Sequence, residues 1–144
     1  MSAIDWSRFP PFADLGKNEQ DILAGVIEEQ ALRAGEVLCL EGSEADGAIL
    51  LLEGALDCMS ERAGDLGRVE APAALGLAAL ARSGNREASL KAAMPSRVAL
   101  LTRNAFHRFA LDAPAAAVRV LEAVVRDLAA ALHGSASALL PPRP

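Results

Sequence analysis

The chain has no tyrosine, one tryptophan and four phenylalanines, so aromatics make up only 3% of its 144 residues. A core so short of rings has to be built from Leu, Val, Ile and Ala, which a 52% hydrophobic content can supply. Histidine is as scarce. His107 and His133 lie far apart in helical stretches, which excludes a metal cupin, since that needs clustered imidazoles on its strands. Cys39 and Cys58 have no partners at metal-ligand spacing and fall in apolar strand-like runs, the setting of buried, reduced thiols. A massed basic segment is also missing. The formal net charge is −5 and the arginines are scattered among acids, so the chain lacks an electrostatic footprint for nucleic acid. No stretch approaches the roughly twenty apolar residues of a membrane span. The start, Met1 to Trp6, carries an early acid and no long apolar run, unlike a signal peptide. A cytoplasmic protein without membrane contact is expected. No Ser or Cys stands beside a base in a pattern that suggests nucleophilic catalysis, so no enzyme is expected either.

What is present reads as one domain with helical ends and a strand-rich middle. Ile22, Leu23, Val26 and Ile27 recur at helical spacing, with Lys17, Glu19, Gln20, Glu28 and Glu29 on the other side. Phe9 and Phe12, beside Pro10-Pro11, are placed to pin the leader onto the fold. Short apolar runs follow at 37–40, 48–53, 55–59, 66–69, 88–93 and 97–101, separated by glycine-rich or proline-containing turns. Many short strands with such turns predict a β-roll or jelly roll. Thr102 is a candidate N-cap for a helix carrying Phe106 and Phe109 on one face. Asp112 and Pro114 then open a longer helix. Within it Val118, Leu121, Val125, Leu128 and Leu132 are spaced 3, 4, 3, 4, a heptad seam, while Val120 and Val124 lie on another face. Gly134 is a plausible stop. The domain is therefore expected over residues 1–134, with 135–144 as a loose tail of small residues and proline.

The stretch Gly76-Leu77-Ala78-Ala79-Leu80-Ala81-Arg82-Ser83-Gly84-Asn85-Arg86-Glu87-Ala88-Ser89 suits anion binding. A glycine turn opens a short apolar helical turn, where backbone N–H groups gather, and an arginine closes the other side. It resembles the phosphate-binding cassette of cyclic-nucleotide-binding domains, the sensor module of the catabolite activator and of cyclic-nucleotide-dependent kinases. Gly76, Ala79, Leu80, Arg86, Ala88 and Ser89 match the family pattern. Leu77 stands where the family has Glu, and Asn85 where it often has Pro, so the cassette is degenerate. Ala34-Gly35-Glu36-Val37-Leu38, Glu41-Gly42 and Leu51-Leu52-Glu53-Gly54 resemble the family's opening strands, and the likeness extends over roughly Phe9 to Leu132.

The resemblance implies an α+β fold: a double-stranded β-helix or jelly roll with an N-terminal helix and two C-terminal helices. It also implies a regulatory module whose ligand is cyclic AMP or cyclic GMP, with no cofactor. The ligand-binding candidates are Gly76, Leu77, Ala78, Ala79, Arg86, Glu87 and Ala88. In the family the arginine and backbone amides hold the cyclic phosphate, and the glutamate accepts a hydrogen bond from the ribose 2′-OH. Leu77 cannot accept one, which is worth roughly one to two decades in affinity. Glu87, directly after the arginine, repels the phosphate, or pairs with Arg86 and occupies it, or is simply solvated. Weak binding is one reading; the other is a domain that binds no nucleotide and serves as a dimerisation or interaction unit. Transcription factors of this family continue into a helix-turn-helix domain, whereas here Pro141-Pro142 stands at that point, so no recognition helix is expected from this chain alone. The seam has two fates as well: it covers the roll, or it pairs with a second copy, and a homodimer is the favoured expectation.

Overall fold

The computed structural model describes the backbone of residues 4–139 and the side chains of residues 4–130. Eight strands, β1 (Glu28–Leu32), β2 (Val37–Cys39), β3 (Gly47–Glu53), β4 (Ala55–Ser60), β5 (Gly64–Glu70), β6 (Ala73–Leu75), β7 (Ser89–Ala92) and β8 (Ser96–Thr102), lie between helix α1 (Lys17–Ala24) and helices α2 (Arg103–Asp112) and α3 (Pro114–Leu139). They form two antiparallel four-stranded sheets, ordered β1-β8-β3-β6 and β2-β7-β4-β5. This is the α+β jelly-roll architecture expected from the sequence.

The first sheet is the middle of three layers. Along β3, Ala48, Leu50 and Leu52 face the helices, while Ile49 and Leu51 face the second sheet. Both faces are covered, which is why this strand is an unbroken apolar run rather than an alternating one. Between the sheets, Leu32, Ile49, Leu51, Leu56, Leu90, Ala92 and Val98 make the aliphatic core that the composition predicts.

The helical side departs from that expectation. Trp6, Phe9, Phe12, Phe106 and Phe109, the whole aromatic complement of the chain, are buried there in one cluster with Leu23, Val120 and Val124. Trp6 and Phe12 pack with ring centroids 5.5 Å apart, and Phe106 and Phe109 at 5.9 Å. Aromatic rings bridge the irregular gap between the leader, the helices and the sheet, which short aliphatic side chains would leave void. Thr102 does cap α2, its Oγ1 accepting from the Ala105 amide at 3.0 Å.

Two element boundaries also need correction. Helix α1 stops at Ala24, and Glu28 and Glu29 belong to β1, not to its polar face. β1 is an edge strand with only Leu32 buried, so its pairing with β8 leaves no periodicity to read. Arg97 on β8 ties it down, bonding Glu29 at 2.6 Å and Glu53 at 3.0 Å. Helix α3 runs through Gly134 to Leu139, because a single glycine costs only about 1 kcal/mol inside a long helix. Residues 140–144 of the expected tail lie outside the described residues. Cys39 and Cys58 are free but half-buried rather than buried, on either side of Leu90 in the second sheet.

Candidate functional site

β6 pairs with β3, Leu75 opposite Ile49, and delivers the chain to Gly76 at the end of the first sheet. There the backbone turns through a left-handed conformation, φ 66° and ψ 31°, that glycine adopts without a Cβ penalty. A side chain at this position would also collide with Arg86, whose Nη1 lies 2.5 Å from where a Cβ would stand. The turn feeds a 3-10 segment, Leu77–Leu80, whose Ala79 and Leu80 are buried. The Ala79 amide bonds the Gly76 carbonyl at 3.0 Å, so it is already used within the turn.

The returning segment is held from two directions. Backbone bonds join it to the loop before β3: Arg86 N to Ser43 O at 2.7 Å, Gly42 N to Arg86 O at 2.8 Å, and Ala45 N to Gly84 O at 2.8 Å. Arg103, at the start of α2, reaches across and donates to the carbonyls of Ala79 (2.9 Å), Ala45 (3.0 Å) and Arg82 (3.1 Å). It joins the first half of the cassette to the loop before β3. Nothing local in the sequence marks this role, since the three acceptors are main-chain atoms up to 58 residues away.

Gly76, Leu77, Ala78, Ala79, Arg86, Glu87 and Ala88 all border one cavity of about 530 Å³, together with Arg82, Ile49, Cys58, Leu90 and Leu128. The Arg86 side chain is only 12% exposed. Its Nη2 donates to the Gly47 carbonyl at 2.9 Å and faces the largely exposed Asp46 carboxylate at 3.8 Å. Among the described residues it pairs with neither Glu87 nor Glu53; the latter is taken by Arg97. Glu87 is exposed at a bend before β7, not on the strand itself. Ser89 does not border the cavity, and its Oγ accepts from the Glu41 amide at 2.8 Å. Leu77 is half-buried and packs against the helix-side core. A neighbouring cavity of about 550 Å³ lies beyond Arg86, bordered by Asp46, Cys39 and β1. Burial pushes the Cys58 thiol above its ordinary range, and the Asp57 carboxylate beside it acts the same way. Burial raises Cys39 too, against an opposing pull from Arg86.

Residues 29–112 match the model of the cyclic nucleotide-binding domain. The chain belongs to that family. Three solved structures illustrate the likeness. The cyclic nucleotide-binding domain from Methylobacillus flagellatus KT is 25% identical, with a TM-score of 0.74 over 90% of this chain and 75% of that one. The N-terminal domain of a transcriptional regulator from Streptomyces coelicolor A3(2) shares the fold at TM-score 0.79 and 24% identity, covering 94% of this chain and 95% of that one. Catabolite activator protein from Thermus thermophilus shares it at 0.76 and 19%, over 90% of this chain and 61% of that one. No curated protein matches the chain.

This cyclic nucleotide-binding domain leaves a second surface open. On α3, Ala116, Ala117, Val120 and Val124 are buried against the core. Val118 (53% exposed), Val125 (63%) and Leu128 (48%) face outward, and Leu121 is half-buried at their margin. Leu132 lies on the same helix, but its side chain is outside the described residues. Among those residues no group of three His, Cys, Asp or Glu side chains is placed to hold a metal, and no helix is long and apolar enough to cross a membrane.

Proposed function

We propose that this domain is a non-enzymatic cytoplasmic sensor that binds a cyclic nucleotide, cyclic AMP or a close relative, weakly in the cassette cavity, and that it acts as a homodimer through α3. The observation that carries the ligand reading is the setting of Arg86. Its guanidinium is sheltered at the cavity wall, is pressed against a side-chain-free Gly76, and has among the described residues one long ion-pair contact, 3.8 Å to the largely exposed Asp46. A guanidinium so placed forks onto two phosphate oxygens. The Gly47 carbonyl bond orients it without cancelling its charge. Gly76 and Ala88 give a ligand close access to the backbone, Ala78 and Ala79 line the wall, Leu77 supplies apolar contact, and Glu87 stays in water at the mouth.

The dimer reading rests on the outward stripe Val118, Leu121, Val125 and Leu128, with Leu132 in the same register. Because the helix already buries a separate inner face, Val118 and Val125 have no intramolecular use, while Leu121 also packs on the core and Leu128 also borders the cavity. Leu128 borders the cavity as well as belonging to the stripe, so ligand and partner meet at one residue. The alternative function, a domain that binds no nucleotide and only dimerises, draws support from Leu77 and from the same stripe.

Calorimetry with cyclic AMP and cyclic GMP separates the two. Binding should appear, and the accompanying rise in melting temperature should vanish in Arg86→Ala, since ligand stabilisation follows affinity. Arg82→Ala is the control expected to matter less. Absence of binding by both nucleotides leaves the dimerisation module as the function, and a shift lost in Arg82→Ala but kept in Arg86→Ala places the phosphate elsewhere.

A further inference from the structure

In a 3′,5′-cyclic nucleotide the 2′-hydroxyl sits on the carbon next to the one esterified to the phosphate. Covalent connectivity therefore keeps the hydroxyl beside the phosphate whatever the base. Any side chain that reads it has to flank the cation that holds the phosphate. Around Arg86 the flanking groups are Gly76, against Nη1, then Leu77, Ala78 and Ala79 along the turn, and Ala88 beyond. None carries a side-chain acceptor. Leu77 is anchored in the helix-side core. Among the residues bordering the cavity, Glu87 is the one carboxylate; it, Ser83 and Asn85 are exposed at the mouth, where water competes for them. Asp46, near Arg86, borders the neighbouring cavity instead.

Resting on the cyclic-nucleotide reading above, we infer that this site gains nothing from the 2′-hydroxyl: the 2′-deoxy form of a cyclic nucleotide binds at least as tightly as the ribo form. A site built to hydrogen-bond a hydroxyl rejects the analogue lacking it strongly, whereas an apolar wall gives the hydroxyl no advantage and rejects it by at most about a hundredfold. The ribose hydroxyl gives up water on entering and meets no buried acceptor, so it brings no advantage. The ligand class is then defined by the cyclic phosphate and the base, not by the sugar.

The test is calorimetry on the full chain with cyclic AMP, cyclic GMP and the 2′-deoxy analogue of each. For any base that binds, the 2′-deoxy form should bind as tightly as the ribo form or up to about a hundredfold tighter. A ribo preference above about fivefold overturns the inference. If Glu87→Ala then removes that preference, Glu87 is the acceptor that was discounted. No heat with any of the four ligands overturns the cyclic-nucleotide reading itself and the inference with it. That result cannot be confused with a ribo preference, which requires binding.

Discussion

Replacing Val118 and Val125 together by Glu should dissociate the dimer while leaving the fold and the cavity intact. The choice of positions comes from the structure. Leu121 packs against the helix-side core and Leu128 borders the cavity, so charges there would disturb more than one thing. Val118 and Val125 do neither, and they are 53% and 63% exposed in the single chain. Full burial of such a side chain is worth about 1.5–3 kcal/mol, so covering the exposed part of two valines in each of two copies contributes about 3.5–7 kcal/mol. Losing it weakens the proposed dimer by roughly two and a half to five decades in its dissociation constant, before the cost of opposing like charges across the interface. Light scattering over a dilution series reads the assembly, and circular dichroism melting reads the fold. A wild-type chain that is monomeric at high micromolar concentration would refute the interface. So would a double variant that still dimerises like wild type. A variant that unfolds would show that the stripe supports the roll rather than a partner.

Leu77→Glu should tighten cyclic AMP by about tenfold or more, since a hydrogen bond to a charged acceptor contributes about 1.5–3 kcal/mol; unchanged calorimetric affinity would mean that position 77 does not meet the sugar. Phe109→Ala, at a side chain with no exposure, should cost about 3–5 kcal/mol in urea unfolding, whereas a loss below about 1 kcal/mol would contradict the aromatic cluster as the anchor of α2 and α3. The raised thiols of Cys39 and Cys58 should alkylate with iodoacetamide more slowly at neutral pH than the unfolded chain does. Because the folded state holds those protons to higher pH than the unfolded state, their contribution to stability is complete below the ordinary thiol range and is lost as pH rises from there through the raised folded-state values. Alkylation as fast in the folded as in the unfolded chain would show that the thiols are not shielded.

The sequence by itself determined what depends on neighbours along the chain. Strands bounded by glycine turns, the Thr102 cap, the inner Val120 and Val124 against the outer Val118 and Val125, and the order of glycine turn, apolar turn and arginine around Gly76 to Ala88 were all legible, because period, capping and turn chemistry are local. The seven cassette candidates picked out by that order all border one cavity. Contacts between distant segments were decided only by the tertiary structure. β1 has no alternation to reveal it, since an edge strand with one buried residue is held by main-chain pairing and by Arg97. The sequence placed Phe9 and Phe12 to pin the leader and Phe106 and Phe109 on one helix face, but did not show that these rings and Trp6 would meet in one cluster, where the gap between leader, helices and sheet is large enough to need rings. Arg103 was invisible as part of the site because main-chain carbonyls, its partners, have no residue identity. Whether Arg86 would be occupied by Glu87 also lay beyond the sequence: the bend before β7 exposes the carboxylate and turns the guanidinium onto the Gly47 carbonyl.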